Sequence, residues 1–555
     1  MLPSIPLSLL FLIISLCFGL VLALPQPVED EGRIARGEDV RQRQRRWADI
    51  PIRRRRGGLR KRWAVGLGDD QDLFYSVALQ IGKTTSAFNL DTGSSDLWTI
   101  TDACTTVQCK NSTANRYPNS SLQLSGPSVL MQYGDSVTGT NASGPIAHDT
   151  VTLAGLSVAS QQFAGVNKTN SPVVLNENTG GIFGLGFPSE SVIQAAVVNA
   201  QFKSPSTTDH FVTTTGQNGP LLSRLAISKQ LDQPMFTISL QRDTVDVGGN
   251  TGLLSVGAFP NGVDNSSFTW VPVRRYTPAD GGLTPPTFAS KEVYPLRWEV
   301  ALDAVYLDGK KLNASTINGS VSSTIVSAII DTGNSLIRGP KDVVQSILST
   351  VSTSYAQSIS TNPNVIPTYP CATPHTLAFG LGGKIFPVDP RDFVVPSAKN
   401  DATTCYAGNV VSTDPPSVGA LFSWSLGDPF FKSNIVAFYY GNLTNPSVDP
   451  PRIGFYSTVP SNANDLLQAA VASAQSNGGN FASITDDPLA TTAYTGSSTT
   501  VASPQITGHT SPHDPSGAQS SQHQCNSAFS STRLPSIQAF WSIMLLFLAF
   551  IPLSL

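Results

Sequence analysis

Residues 88–100 read FNLDTGSSDLWTI, an apolar run that ends on Asp91 and turns at once into Thr92, Gly93, Ser94 and Ser95. A carboxylate at the end of a buried-looking strand, followed by small turn-forming residues, sits at the mouth of a tight loop. The arrangement returns 240 residues later, where AIIDTGNSLIRGP, residues 328–340, is built around Asp331 in the same way. Two such stretches in one chain point to a shared purpose.

Each stretch also has an apolar, glycine-bearing companion downstream. In GGIFGLGFP, residues 180–188, Gly184 lies 93 residues after Asp91, and in SWSLGDPFF, residues 423–431, Gly427 lies 96 residues after Asp331. Near-equal spacing marks an internal duplication. It predicts two similar β lobes, each offering one Asp-Thr-Gly loop, with the loops meeting where the lobes join. Composition agrees: charged residues make up only 13% of the 555, hydrophobic ones 40%, and Ser, Thr, Gly, Asn and Pro are abundant. That balance favours short strands and turns over long charged helices, so the fold expected is mostly β.

Both ends carry addresses rather than fold. Residues 1–23, MLPSIPLSLLFLIISLCFGLVLA, form an apolar stretch with Val21 and Ala23 at the small-residue positions of a signal-peptidase site. They are read as a signal peptide, although the stretch opens without Lys or Arg; a membrane anchor is the alternative. Residues 24–62 hold 13 of the 35 Lys+Arg and only 6 of the 38 Asp+Glu. A basic run is commonly a solvated tail or a nucleic-acid patch, but behind a secretory signal it reads as a propeptide cut after Lys61-Arg62. The remainder then carries 22 basic against 32 acidic residues, net −10. Such halves attract near neutrality and separate as carboxylates protonate.

At the other end, AFWSIMLLFLAFIPLSL, residues 539–555, follows the polar spacer FSSTRLPSIQ and the small triplet Asn526-Ser527-Ala528. Small site, spacer and apolar tail are the order of a glycosylphosphatidylinositol (GPI) signal, with Asn526 as the attachment site and 527–555 removed. A tail-anchoring helix is the alternative. Residues 460–526 are rich in Ser, Thr, Ala and Gly and read as a disordered, O-glycosylated stalk. Of the six cysteines, Cys17 goes with the signal and Cys525 has no evident partner. Cys104/Cys109 and Cys371/Cys405 remain, each pair local enough to close a loop in an oxidising compartment. With His scarce and no CxxC, no metal site or cofactor is expected. Eight glycosylation sequons, at Asn111, Asn119, Asn141, Asn167, Asn265, Asn313, Asn318 and Asn442, add to the secretory reading.

Two carboxylates held about 3 Å apart cannot easily both ionise, so one proton is shared. The charged member can deprotonate a water while the protonated member hydrogen-bonds the carbonyl under attack, which is hydrolysis without a covalent intermediate. Gly93 and Gly333 let the loops turn and point amides at the carboxylates. Thr92 and Thr332 can brace the two loops across the boundary, and Ser94 can donate to an outer carboxylate oxygen. Glycoside hydrolysis wants its carboxylates further apart and in dissimilar settings.

With these loops on the page, residues 65–459 resemble a pepsin-family aspartic protease, a family long known for two aspartates that share a proton. The resemblance implies a bilobal β fold, with lobes over 63–241 and 242–459, a cleft between them, and Asp91 and Asp331 as its catalytic dyad. In MQYGDSVTG, residues 131–139, it makes Tyr133 and Gly134 part of a flap over the substrate, with AHDTV, residues 147–151, continuing that strand. Trp98 matches the tryptophan that hydrogen-bonds the flap tyrosine, and Cys104–Cys109 and Cys371–Cys405 fall where the family's common disulfides do. One departure is Asn334, where the family has Thr or Ser; its amide is expected to donate in their place. Another is a Pro/Gly-rich insertion at 274–298, expected as a surface loop near the cleft. Asp96 is read as a turn stabiliser, and His148 and His375 as structural or exposed.

The expected protein is a monomeric acid endopeptidase, similar in stalk and anchor to fungal yapsin-like surface proteases. It would act on peptides or proteins, after self-processing or a cut by a kexin-type enzyme. No nucleic-acid partner is expected; the membrane is reached through the GPI anchor. Two alternatives are an inactive relative that binds peptides or proteins in the same cleft, and a structural wall glycoprotein.

Overall fold

The computed structural model describes residues 48–51, 53–54, 72 and 74–484, apart from 135–138, 177, 249–251, 318–325 and 413–422. The signal peptide, Lys61-Arg62, Cys525, Asn526 and the GPI tail lie outside the described residues.

The first lobe grows from one hairpin. Strand Tyr75–Ile81 alternates into a continuous apolar face and turns at Gly82, whose φ of 55° suits a residue without a Cβ. It returns antiparallel as Thr84–Asp91, whose last six residues are all buried. Gly181–Gly184 then pairs parallel with Thr84–Asp91, setting Gly184 opposite Asp91, and antiparallel with Leu97–Ile100. The Asp-Thr-Gly turn is therefore gripped by the strand that leads in, the strand that leads out and a third between them.

The second lobe repeats this pattern. Ser327–Ile330 runs parallel to Trp424–Leu426, which in turn runs antiparallel to Ile337–Gly339. The two glycine-bearing companions of the sequence are thus the central strands of two equivalent three-strand units. A six-stranded antiparallel sheet contains Leu253–Val256, Met235–Ser239, Asn434–Tyr439, Arg452–Ser457 and Thr269–Pro272 in that order. It joins the lobes because Met235–Ser239, from before residue 242, pairs with Asn434–Tyr439. Above it Phe187, Phe236, Trp298, Phe438 and Tyr440 pack ring to ring, with Phe187 and Trp298 centroids 4.2 Å apart.

The sixth strand of that sheet is Ala48–Pro51, from the segment read as a propeptide, paired antiparallel with Leu253–Val256. Arg53–Arg54 pairs with Tyr75 and Ser76. The described parts of the basic segment are therefore tied to the body by main-chain hydrogen bonds.

The disordered stalk expected from residue 460 needs correction. Ala463–Ser476 is a helix with Ala463, Leu467, Val471 and Ala474 buried, packed against the short helix Pro390–Phe393. The chain continues to Ala482–Ser483, which pairs with Thr244–Val245. The buried residues recur every three or four positions, but two are alanines, too weakly apolar to stand out from the surrounding Ala/Ser-rich sequence.

The insertion at 274–298 is an ordered bridge. Asp209, from a helix of the first lobe, accepts from Thr287 N and Oγ1 at 2.7 and 3.0 Å, and Tyr294 donates its hydroxyl to Thr444 O at 3.0 Å. Beneath the second lobe lies a buried ion cluster. Arg242 grips Asp392 with two bonds of 2.7 Å, Arg391 pairs with Asp389, and Lys432 reaches Asp72 at 3.0 Å and Asp392 at 3.6 Å. Pairing with cations holds Asp392 down at about 2 despite burial.

Candidate active site

Each Asp-Thr-Gly turn delivers its aspartate from the end of a buried strand, and the structure brings the two together. The carboxyls of Asp91 and Asp331 lie side by side, close enough for the charge of Asp91 to act on Asp331. Gly93 N–H donates to Asp91 Oδ1 and Gly333 N–H to Asp331 Oδ1, both at 2.8 Å, and Ser94 Oγ donates to Asp91 Oδ2 at 2.5 Å. The glycines are required by space: a Cβ on Gly93 would lie 2.5 Å from Asp331 Oδ1, and one on Gly333 would run into Asp91.

Thr92 and Thr332 form a closed lattice beneath the carboxyls. Thr92 N–H donates to Thr332 Oγ1 at 3.1 Å and Thr332 N–H to Thr92 Oγ1 at 3.0 Å. Each hydroxyl donates at 2.8 Å across the boundary, Thr92 to Ile330 O and Thr332 to Leu90 O. All four bonds are buried, which strengthens them and makes their loss costly.

Burial raises both carboxyls above the ordinary aspartate value. On Asp91 the bonds from Ser94 and Gly93 work against burial and favour its charge. On Asp331 the neighbouring charge of Asp91 adds to burial and pushes it up to about 7. The pair therefore holds one shared proton up to near neutrality and takes up a second only on the acid side of Asp91's raised value.

Asn334 does not take the part expected of it. Its Nδ2 donates to Leu336 O at 2.7 Å and to Ser425 Oγ at 2.8 Å, while its Oδ1 accepts from Leu336 N and Arg338 Nε, both at 3.2 Å. The amide is spent on its own turn and the adjacent strand instead of on the dyad. Arg338, which the sequence reading passed over, is close enough for its charge to lower Asp331. The available signal was the Asn334/Arg338 spacing within one motif.

The flap is a long hairpin, Gln123–Tyr133 against Thr140–Leu153, with Tyr133 opposite Thr140 at the described end and Gly134 next at φ 79°. Burial, followed by the charges of Asp96 and Asp91, drives the Tyr133 phenol well above its usual value. Trp98 is fully buried and its indole N–H faces Tyr133, yet no complete hydrogen bond forms at Nε1. Asp96 accepts from Ser191 Oγ and, at 2.9 Å, from Val192 N–H, so it caps the helix Val192–Phe202; burial lifts its carboxyl to about 6. His375 does have a partner, Asp308, at 2.9 Å.

Disulfides Cys104–Cys109 and Cys371–Cys405 are both formed, with Cα separations of 5.9 and 4.9 Å. No cluster of three or more metal-ligating side chains occurs among the described residues. The arrangement can therefore hold a water between an anionic and a protonated carboxyl and present a proton to a carbonyl oxygen.

Residues 74–448 match the eukaryotic aspartyl protease family. The chain is 26% identical over 383 residues to an aspartic protease of Phaffia rhodozyma, covering 69% of this chain and 75% of that protein. It is 25% identical over 433 residues to major aspartyl peptidase 1 of Cryptococcus neoformans, covering 76% and 77%. It is 26% identical over 382 residues to cathepsin E of Mus musculus, covering 67% and 79%.

Proposed function

The chain belongs to the eukaryotic aspartyl protease family and is an aspartic endopeptidase, and from that premise we propose that Asp91 and Asp331 are its catalytic dyad, working at acidic pH. The observation that carries the reading is two carboxyls, one from each Asp-Thr-Gly loop, brought side by side over the Thr92/Thr332 lattice. Asp91, the anionic member, takes a proton from water as its oxygen attacks the scissile carbonyl carbon. Asp331 gives its proton to the carbonyl oxygen, producing a neutral gem-diol. Collapse of that intermediate breaks the C–N bond and passes a proton to the departing amine. Closure of the hairpin completes the Tyr133–Trp98 hydrogen bond over the bound peptide.

The enzyme is secreted, matured by removal of residues 24–62 and tethered outside the cell through Asn526. Support comes from the apolar first 23 residues, the two disulfides, and seven described sequons whose asparagines are all exposed or half-buried. Maturation follows acid weakening of the basic segment's hold on the acidic body, or a kexin-type cut after Arg62.

The full chain, expressed through a secretory pathway and freed of its basic segment, is assayed on a mixed peptide library. Loss of cleavage in both Asp91→Asn and Asp331→Asn is expected. Cleavage that survives either substitution in a folded protein refutes the assignment.

A further inference from the structure

Beside the dyad the two lobes exchange an ion pair that the mechanism does not use. Glu190 ends the turn Pro188–Glu190, in a segment bonded along its length to the first aspartate loop. Leu185 N–H donates to Asp91 O at 2.8 Å, Gly186 N–H to Ser94 O at 2.7 Å, and Ser95 Oγ to Phe187 O at 2.7 Å. Arg297 closes the insertion on the other lobe. The next residue, Trp298, accepts from Ile330 N–H, directly before Asp331, and donates its indole N–H to Leu185 O, both at 3.0 Å. Arg297 Nη2 pairs with Glu190 Oε1, and Ser189 Oγ donates to Pro295 O beside them. The side chains keep 21% and 22% of their surface exposed, so the pair is within reach of solvent and not sealed in the core.

We propose that Arg297 is a specificity-determining residue that takes an acidic side chain of the substrate within a few residues of the scissile bond, with Glu190 as its resident competitor. The inference rests on the reading of Asp91 and Asp331 as the dyad, since that reading places the pair beside the scissile bond.

The electrostatic surroundings support an exchange of partners. The charged groups around Glu190 are Arg297, Asp96 behind Ser191, and Glu299, itself paired with Arg274 at 3.0 Å. Burial raises the Glu190 carboxyl above its ordinary value even against the attraction of Arg297. As pH falls, Glu190 is neutralised before a substrate aspartate with its ordinary value of about 3.9. Arg297 stays charged throughout. In that window the Glu190 charge opposite Arg297 is lost while the substrate carboxylate still carries its own.

The test uses peptides matched except for aspartate against asparagine, placed in turn at each position near the cleavage site. The ratio of kcat/KM for the two is measured in the processed enzyme along a pH series from about 4.5 to about 7, above the ordinary aspartate value, and compared at its lower and higher ends. At one position the wild type should favour aspartate about tenfold at the lower pH, the scale of one charge-assisted hydrogen bond, and less at the higher. Arg297→Ala should bring the ratio to about one at both, where no charge-assisted bond remains. Glu190→Gln, which mimics the protonated carboxyl, should keep the preference at the higher pH.

Because the readout is a ratio within each variant, changes in overall activity cancel. Should Arg297→Ala fail to fold, Glu190→Gln carries the test: no extension of the preference to the higher pH overturns the proposal. So does an aspartate preference that Arg297→Ala leaves unchanged, or a wild-type ratio of one at every position. Failure of the dyad reading shows separately, as cleavage of the asparagine peptides by Asp91→Asn.

Discussion

Thr92→Val removes one hydroxyl from the lattice beneath the dyad while nearly keeping side-chain shape. In the structure that hydroxyl donates to Ile330 O at 2.8 Å and accepts from Thr332 N–H at 3.0 Å, both in the buried interior. Two backbone groups would lose these partners out of reach of water, at about 1–3 kcal/mol each. Burying the added methyl returns about 1 kcal/mol. The net expectation is a loss of about 1–5 kcal/mol, read from the shift in urea midpoint at constant m. Thr92→Ser supplies the control, since it keeps the hydroxyl and removes only a methyl, at about 1 kcal/mol. Because the lattice also sets the spacing of the carboxyls, kcat in Thr92→Val should fall on the order of tenfold or more, as small misplacements of reacting groups do. If Thr92→Ser costs as much as Thr92→Val, or Thr92→Val costs less than about 0.5 kcal/mol, the lattice is not held by these hydrogen bonds.

Arg338→Met removes a positive charge that lowers Asp331. The dyad proton should then persist to higher pH, seen as an upward move of the alkaline limb of kcat/KM; an unmoved limb denies Arg338 that influence. Lys432→Met leaves Asp72 and Asp392 buried beside one cation fewer, a loss of about 3–5 kcal/mol in thermal or urea unfolding near neutral pH. Asp392, held at about 2, contributes stability that is present above its unfolded value and lost only as pH falls through about 2. In Lys432→Met the freed carboxylates take up protons more readily, so the deficit should shrink below about pH 4, and a pH-independent deficit would contradict the ion-cluster account. Leu467→Ala should destabilise the protein by about 2–4 kcal/mol if the terminal helix is part of the core, and by nearly nothing if residues 463–476 were a stalk.

What the sequence disclosed and what it hid follow from range. The turns around Asp91 and Asp331, and their glycine-bearing companion strands, write their chemistry into a few consecutive residues, and their near-equal spacing exposes the duplication. Interactions such as Lys432 with Asp72, 360 positions apart, or Arg297 with Glu190, 107 apart, leave no local trace. The terminal helix was hidden by its alanines. Ala48–Pro51 was hidden by composition, because an arginine-rich stretch reads as solvated charge until a sheet edge such as Leu253–Val256 is known to be open to it. Asn334 was misjudged for a different reason: its donor was identified, but Leu336 and Ser425, which claim it, could not be seen.

The central claim, that two aspartates from two lobes share one proton, is tested most directly by the pH dependence of kcat/KM on an uncharged peptide. Asp331 at about 7 predicts a plateau that extends through the weakly acidic range and falls along an alkaline limb near neutrality, with an acid limb where Asp91 takes up a proton. Asp91→Asn should abolish the whole profile. An alkaline limb near about 4, the value of an isolated aspartate, would contradict the shared proton and with it the account of the site.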